Sequence, residues 1–329
     1  MIELIIPAII SCILAFFVVY FTTPSLIKIL VKKNYTVKDM NKQENVMVAR
    51  PGGISIILGI VVSEIVLYGF FQLNEILAII ITTTAAFAIG YVDDRKVMGG
   101  WFKPLTLAIA ALPIIFLGAY SSDLAFPLFG DVQIPLLYLG LIIFMIPITG
   151  NTINSIDVLN GVATGFMVIA SFTLSICLFI LQNYEIAIVS LPLGFVSLAF
   201  YKYHKIPSKI FPGDSGALTF GAMYGAIAII GGVEIIAAIA LLPAVINSFL
   251  FLSSVKRVVE HRQIKNPTML TSDFKLKTTD EKTAPITLVR LILAGGPLTE
   301  KQVGFAIFKL AIFSGILAII TAFMMGVSL

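Results

Sequence analysis

Long uncharged runs alternate with short polar segments along the whole chain. Ten of these runs have about the 20 residues that are needed to cross roughly 30 Å of hydrocarbon. They lack the regular alternation of polar and apolar positions that a membrane β-barrel requires, so each is predicted to be an α-helix. The predicted spans are residues 4–27, 52–71, 76–92, 104–120, 136–153, 162–181, 186–201, 215–230, 235–255 and 305–325.

Composition supports this interpretation. Only 12% of the 329 residues are charged, 58% are hydrophobic, and the mean hydropathy is +1.02. Soluble domains carry about 25% charged residues. We therefore predict an all-α, polytopic membrane protein with one domain, residues 1–329, and no cleavable signal, because the first run is too long and lacks a basic start. The cysteines, Cys12 and Cys177, lie within spans and form neither a disulfide framework nor a metal site.

The basic residues predict the orientation. With ten spans, all 22 Lys and Arg residues lie in or beside segments on one side of the membrane. By the positive-inside rule that side is the cytoplasm, and both termini are outside. The net charge of +4 is then a topology signal and no evidence for nucleic-acid binding. The predicted cytoplasmic segments are residues 28–51, 93–103, 154–161, 202–214 and 256–304.

A carboxylate pair, Asp93 and Asp94, follows the third span, and Lys103 comes shortly after it. The macrodipole disfavours negative charge at a helix C-terminus. One interpretation is a solvated turn that Arg95 and Lys96 balance. The other is a carboxylate pair for a cation or an incoming phosphate, with Lys103 as a phosphate-binding cation.

A polar run, "NTINSIDVLNG", ends the fifth span. It places Asn151, Asn154, Asp157 and Asn160 three residues apart, near one face of a helical turn. Helix packing explains the nearby glycines and one asparagine but not the whole set. Amide and carboxylate oxygens are hard ligands that suit Mg²⁺, which shares phosphates with its substrates.

A glycine-flanked aspartate, Asp214, opens the eighth span in "FPGDSG". The motif is also found in serine proteases, but both histidines of this chain lie in polar loops and a triad is not expected. We expect Gly213 and Gly216 to let a ligand approach, Asp214 to offer a carboxylate to a metal, and free amides to favour a phosphate.

Three further polar features complete the pattern. His261 and Arg262 in the longest loop are candidate donors to a sugar or pyrophosphate, although a lipid-attracted basic cluster is an equal alternative. Glu64 and Asn247 lie inside spans and are predicted to form hydrogen bonds between helices. "TEKQ", residues 299–302, is typical of a capping box for the last span.

The order and spacing of these motifs resemble the polyprenyl-phosphate N-acetylhexosamine-1-phosphate transferase superfamily, glycosyltransferase family 4, over essentially the full chain. The likeness is carried by Asp93-Asp94, the run ending at Asn160-Gly161, and "FPGDSG". "KDMNK", "HRQI" and the C-terminal "TLVRLILAGGPLTEKQVGFAIFKLAIFSGILAIITAF" are similar to the branch that acts on UDP-N-acetylglucosamine (UDP-GlcNAc) and dolichyl phosphate. The histidine-rich last loop of the bacterial phospho-MurNAc-pentapeptide branch is missing here.

The resemblance implies a role for each matched residue. Asn160 and Asp214 would hold Mg²⁺, with Mn²⁺ as an alternative, and Lys103 would be the lysine of the catalytic site. Asp93 or Asp94 would orient the lipid phosphate or take a proton. His261 and Arg262 would contact N-acetylglucosamine. The remaining substrate-binding candidates are Asn151, Asn154, Asp157, Gly161 and Gly213.

The implied reaction transfers GlcNAc-1-phosphate from UDP-GlcNAc to a polyprenyl, dolichyl-type phosphate at the cytoplasmic face, the first membrane step of N-glycan assembly. Transfer from another UDP-N-acetylhexosamine, including the phospho-MurNAc-pentapeptide reaction, is the alternative. A secondary transporter is a remote rival, because ten spans with polar breaks also suit one.

The expected partners are both substrates and membrane lipid, without nucleic acid, and a homodimer is an open option. The expected membrane is the cell membrane of a prokaryote or archaeon, or the endoplasmic reticulum of a eukaryote.

Overall fold

The computed structural model describes residues 2–42, 45–96, 98–256 and 265–326. Helices make up most of this described part. They are α1 (Ile2–Lys32), α2 (Gly53–Phe71), α3 (Asn74–Arg95), α4 (Phe102–Ala110), α5 (Leu112–Phe116), α6 (Pro135–Ile156), α7 (Val162–Ile180), α8 (Tyr184–His204), α9 (Gly213–Ile230), α10 (Glu234–Ala240), α11 (Leu242–Val255), α12 (Leu288–Ile292) and α13 (Glu300–Gly326).

Three small antiparallel hairpins lie in the connections. They pair β1 (Thr36–Lys38) with β2 (Met47–Ala49), β3 (Asp123–Phe126) with β4 (Gly130–Gln133), and β5 (Thr268–Leu270) with β6 (Leu276–Thr278). The helical prediction is therefore confirmed for the apolar runs, and strands occur only in connecting segments of the described chain.

Seven of the described helices are long and apolar enough to cross a membrane: α1, α2, α3, α6, α7, α8 and α13. An eighth candidate is the pair α10 and α11, which is bent by 75° at a break before Pro243. A proline lacks the N–H that would continue the ladder, so it favours such a break. The two other predicted spans coincide with α9 and with the short pair α4 and α5. The protein is a multi-pass membrane protein; the count of ten and the location of the termini stay predictions.

Helix α9 occupies the centre of the bundle. Every residue from Gly213 to Ile229 is buried, and α2, α3, α6, α7, α8 and α10 pack around it. Its many small residues allow close approach of the neighbouring backbones. A Cβ atom at Gly221 would lie 2.4 Å from the carbonyl oxygen of Thr149 on α6. The small residues therefore let α9 lie fully buried among its neighbours.

The two polar residues predicted to join helices differ in outcome. Asn247 on α11 donates from Nδ2 to the carbonyl oxygen of Ser155 at 3.0 Å, and its Oδ1 accepts the N–H of Leu288 at 2.9 Å. That prediction is confirmed. Glu64 on α2 is fully buried, and neither carboxyl oxygen has a hydrogen-bond partner among the described residues. The prediction for Glu64 is wrong for the part of the chain that the structure describes.

The predicted cytoplasmic segments converge at one end of the bundle. The N–H of Phe211 donates to the carbonyl oxygen of Ala49 at 2.9 Å, and the N–H of Gly52 donates to that of Phe211 at 2.8 Å. These bonds tie the first connection to the segment before α9. The predicted capping box is confirmed: the N–H of Gln302 donates to Thr299 Oγ1 at 3.3 Å, and the N–H of Thr299 donates to Gln302 Oε1 at 2.9 Å. It starts α13, whose first residue also reaches this end.

Candidate active site

Three carboxylates and a lysine meet where α3 ends and α9 begins. The two helices pack against each other, so Asp93 and Asp94 face Asp214 across the contact. Lys103 Nζ lies 2.7 Å from Asp93 Oδ2 and 3.0 Å from Asp214 Oδ1. Asp93 also accepts the N–H of Met98 at 2.8 Å. The sequence-predicted residues of two separate motifs therefore form one charged cluster.

Arg50 completes this cluster and was not assigned a role from sequence. Its Nη2 lies 3.0 Å from Asp94 Oδ1 and 3.1 Å from Asp214 Oδ2. Burial by itself would lower the pKa of Arg50, but the charges of Asp94, Asp214 and Asp157 raise it above the usual value. Arg50 is thus a permanent cation beside the carboxylates. The signal in the sequence is an arginine directly before the Pro-Gly-Gly break that starts a helix.

Asp94 caps α9. Its carboxylate, whose side chain is 1% exposed, accepts the N–H groups of Asp214 and Ser215 at 2.9 Å each. Gly213 allows this approach: its φ is +72°, and an added Cβ would lie 2.7 Å from both Asp94 oxygens. The expectation of free amides for a phosphate is therefore wrong for this structure, because α3 ends close enough to supply the anion itself.

The other glycine of the "GDSG" motif has a packing role. A Cβ at Gly216 would lie 2.7 Å from Pro212 and 2.9 Å from Ile56 on α2. We expected this glycine to leave room for a ligand, whereas it leaves room for a neighbouring helix.

Asn160 lies in the bend between α6 and α7 and is 5% exposed. Its Nδ2 donates to Asp39 Oδ2 at 2.8 Å, and its backbone N–H donates to Glu300 Oε1 at 2.9 Å. Within the described chain, its Oδ1 has no hydrogen-bond partner. Asp39 and Glu300 were not named as site residues from sequence. Asp39 lies in "KDMNK", which carried only the likeness to a family branch, and Glu300 lies in the predicted capping box.

The donor atoms fit a hard divalent cation. A buried, unpaired amide oxygen such as Asn160 Oδ1 calls for a partner, and a carboxylate oxygen such as those of Asp214 can accept more than the one contact it makes here. Oxygen donors of this kind suit Mg²⁺. Among the described residues, no group of three or more His, Cys, Asp and Glu side chains is placed to bind a metal.

Asp157 has a different environment from the one we expected. Within the described residues its carboxylate accepts no hydrogen bond. Nε2 of His204 lies 3.7 Å from Oδ1 of Asp157, which is too far for a hydrogen bond. Burial raises the pKa of Asp157 to about 7, with Asp214 and Asp94 adding to the rise and Arg50 opposing it. The polar segment is therefore not held by hydrogen bonds of Asp157; Asp39 and Glu300 hold Asn160.

The other predicted binding residues lie near this end without joining the cluster. Asn151 Nδ2 donates to the carbonyl oxygen of Pro147 on its own helix at 2.8 Å. The side chain of Asn154 forms no hydrogen bond with a described residue, and Gly161 begins α7 with a φ of +79°. His261 and Arg262 lie outside the described residues.

Comparison with known proteins gives concordant matches. The model of glycosyl transferase family 4 matches residues 76–232, a range that includes Asp93, Asp94, Lys103, Asn160 and Asp214. A Methanocaldococcus jannaschii protein provisionally named a glycosyltransferase is 30% identical over 300 residues, which cover 90% of this chain and 91% of the relative.

Two further relatives have more specific names. A Saccharolobus solfataricus protein, provisionally named a UDP-N-acetylglucosamine–dolichyl-phosphate N-acetylglucosaminephosphotransferase, is 26% identical over 93% of this chain and 94% of its own length. A phospho-N-acetylmuramoyl-pentapeptide-transferase of Staphylococcus aureus is 31% identical over 54% of this chain and 60% of its own length. The motif order, the charged cluster and these matches together show that the chain belongs to glycosyl transferase family 4.

Proposed function

We propose that this protein transfers GlcNAc-1-phosphate from UDP-GlcNAc to a polyprenyl, dolichyl-type phosphate. An oxygen of the lipid phosphate attacks the sugar-linked phosphorus, the bond from that phosphorus to the bridging oxygen of UMP breaks, and UMP leaves. The products are UMP and lipid-diphosphate-GlcNAc. The observation that carries the proposal is the convergence of Asp93, Asp94 and Asp214 with Lys103 and Arg50 at one end of an apolar bundle.

The cluster suits phosphoryl transfer because its cations are fixed before substrate arrives. Lys103 and Arg50 are held by three carboxylates, and preorganised charge stabilises a transition state without reorganisation at the moment of reaction. Asn160 and Asp214 would hold Mg²⁺, which supplies charge neutralisation of the diphosphate and of the departing UMP. A phosphate monoester is largely ionised near pH 7, so no strong base is required of Asp93 or Asp94.

The relatives support the choice of substrates within the family. The archaeal relative whose name specifies UDP-N-acetylglucosamine and dolichyl phosphate matches nearly the whole chain, whereas the pentapeptide-transferase matches about half. The basic loops then face the cytoplasm by the positive-inside rule, so the cluster would act there. Family membership favours this reaction over the secondary transporter.

The test is an assay of purified protein with UDP-GlcNAc, a polyprenyl phosphate and Mg²⁺, in which UMP and lipid-linked sugar are measured together. We expect equal amounts of both products. Formation of neither would contradict the proposal. Parallel assays with UDP-GalNAc and with UDP-MurNAc-pentapeptide check the sugar, and equal rates with UDP-GalNAc would remove the stated preference. Uptake of substrate into proteoliposomes without UMP release would favour the transporter.

A further inference from the structure

The side-chain amide of Asn160 has two chemically different ends, and only its oxygen can bind a cation. In this structure the NH₂ end donates to Asp39 Oδ2 at 2.8 Å, while Oδ1 is buried without a partner among the described residues. A rotation of 180° about the Cβ–Cγ bond would exchange the two ends with almost no change in shape. A neighbouring group must therefore select the orientation in which the oxygen, and not the NH₂ group, is left without a protein partner.

Asp39 can make that selection because a carboxylate offers only acceptors. If the amide of Asn160 were reversed, two oxygens would face each other in a buried place, which is unfavourable. Asp39 is 2% exposed and directly follows β1. Its Oδ1 accepts the N–H of Asn41 at 3.0 Å, and its own N–H donates to the carbonyl oxygen of Val46 at 2.9 Å. The carboxylate is thus held by the β1–β2 hairpin and not by Asn160 alone.

Glu300 holds the backbone of the same residue. Its Oε1 accepts the N–H of Asn160 at 2.9 Å, and its Oε2 pairs with Lys42 Nζ at 2.7 Å. Glu300 is the first residue of α13, so the bend between α6 and α7 is tied to a helix far away in sequence. Main chain and side chain of Asn160 are therefore oriented by two different carboxylates.

We propose that Asp39 is a positioning residue that fixes the amide of Asn160 with Oδ1 directed to a divalent cation. The inference rests on the proposed function, in which Asn160 and Asp214 hold that cation. Partners that orient a ligand in this way commonly change metal affinity by about 10- to 100-fold when they are removed.

The substitution Asp39→Asn gives a specific expectation. The N–H of Asn41 can only donate, so the oxygen of an asparagine at position 39 would stay on Asn41 and its NH₂ group would face Asn160. Asn160 would then turn its oxygen to position 39 and direct its NH₂ group to the cation. Asp39→Ala removes the acceptor without adding a donor, so either orientation of the amide remains available.

The two substitutions at position 39 should show an unusual order of effects. Asp39→Asn, the closer match in shape, should weaken metal binding more than Asp39→Ala does. A merely structural role of Asp39 in the hairpin predicts the opposite order. The double variant Asp39→Asn with Asn160→Asp should regain most of the lost affinity, because the new NH₂ group would donate to one oxygen of the new carboxylate and leave the other for the cation.

The experiment measures binding of Mn²⁺ by the full chain in detergent, without substrates, from the electron paramagnetic resonance signal of free Mn²⁺. Monodispersity and melting temperature check folding. Asp131→Asn in β4 is the matched control, since it makes the same carboxylate-to-amide change at an exposed residue at the other end of α6. We expect wild-type affinity for the control, about a 10- to 100-fold loss for Asp39→Asn, a smaller loss for Asp39→Ala and recovery in the double variant.

The outcomes distinguish failure of the positioning role of Asp39 from failure of the metal assignment. If Asn160→Ala and Asp214→Asn weaken Mn²⁺ binding but Asp39→Asn does not, the positioning role is wrong and the proposed metal site stands. If Asp39→Asn binds weakly and the double variant shows no recovery, or Asp39→Ala is the worse variant, the role is structural and the inference is overturned. If Asn160→Ala and Asp214→Asn bind Mn²⁺ as the wild type does, the metal assignment itself fails, and with it this inference.

Discussion

Asp214→Asn is the substitution that tests the candidate site most directly. It keeps the shape of the side chain and removes the negative charge that lies between Lys103 Nζ at 3.0 Å and Arg50 Nη2 at 3.1 Å. Both cations retain a second carboxylate, Asp93 at 2.7 Å and Asp94 at 3.0 Å. We therefore expect the variant to fold in detergent, because neither cation is left unpaired.

The expected loss of activity is large. If Asp214 holds a cation whose charge stabilises the transition state by about 4 kcal/mol, its removal lowers turnover about a thousandfold, since each 1.36 kcal/mol is a factor of ten. Asp157→Asn is the matched control, because it makes the same carboxyl-to-amide change in the same region at a side chain that forms no hydrogen bond with the described residues. It should cost less, and added Mg²⁺ should not restore what is lost.

The assay is UMP release from UDP-GlcNAc with a polyprenyl phosphate, measured over a series of Mg²⁺ concentrations for the wild type and both variants. Circular dichroism and gel filtration check the fold. Near-normal turnover of Asp214→Asn at low Mg²⁺, together with loss of activity in Asp157→Asn, would refute the assignment of Asp214 as the metal ligand.

Arg50→Gln should lower turnover about a hundredfold or more, as loss of one preorganised charge commonly does, and unchanged UMP release would contradict a role in the reaction. Gly213→Ala should reduce UMP release while the protein remains folded, because its Cβ would lie 2.7 Å from the Asp94 oxygens at a φ of +72°. Full activity would show that the Asp94 carboxylate can move away from the start of α9. Asp157 has a pKa of about 7 in the folded protein, so it keeps its proton over a pH range in which the unfolded chain has lost it. The free energy of unfolding should therefore fall as pH rises from about 4 to 7, by up to about 1.4 kcal/mol per pH unit. Melting temperatures of wild type and Asp157→Asn across this range check the prediction, which requires the variant to lose that part of the pH dependence.

The apolar helices and most of the charged residues of the site could be predicted from the amino-acid sequence. Long apolar runs must be helical in a bilayer because backbone groups have no other partners there. Every Lys and Arg fell on one side of the predicted spans, and the structure brings these segments together at one end of the bundle. Asp93, Asp94, Lys103 and Asp214 could be named because charge is costly beside hydrocarbon and is seldom present without a partner.

The pairing of the charged residues could not be predicted from the sequence. Arg50 pairs with Asp94 and Asp214 across 44 and 164 residues of sequence, and no local pattern contains such a pairing. The capping of α9 by Asp94 likewise depends on where α3 ends in space, so the amides that looked free in the sequence are satisfied. Asp39 pairs with an amide 121 residues away. Hydrogen bonds and ion pairs act over about 3 Å, and folding, not spacing in the chain, sets which groups come that close.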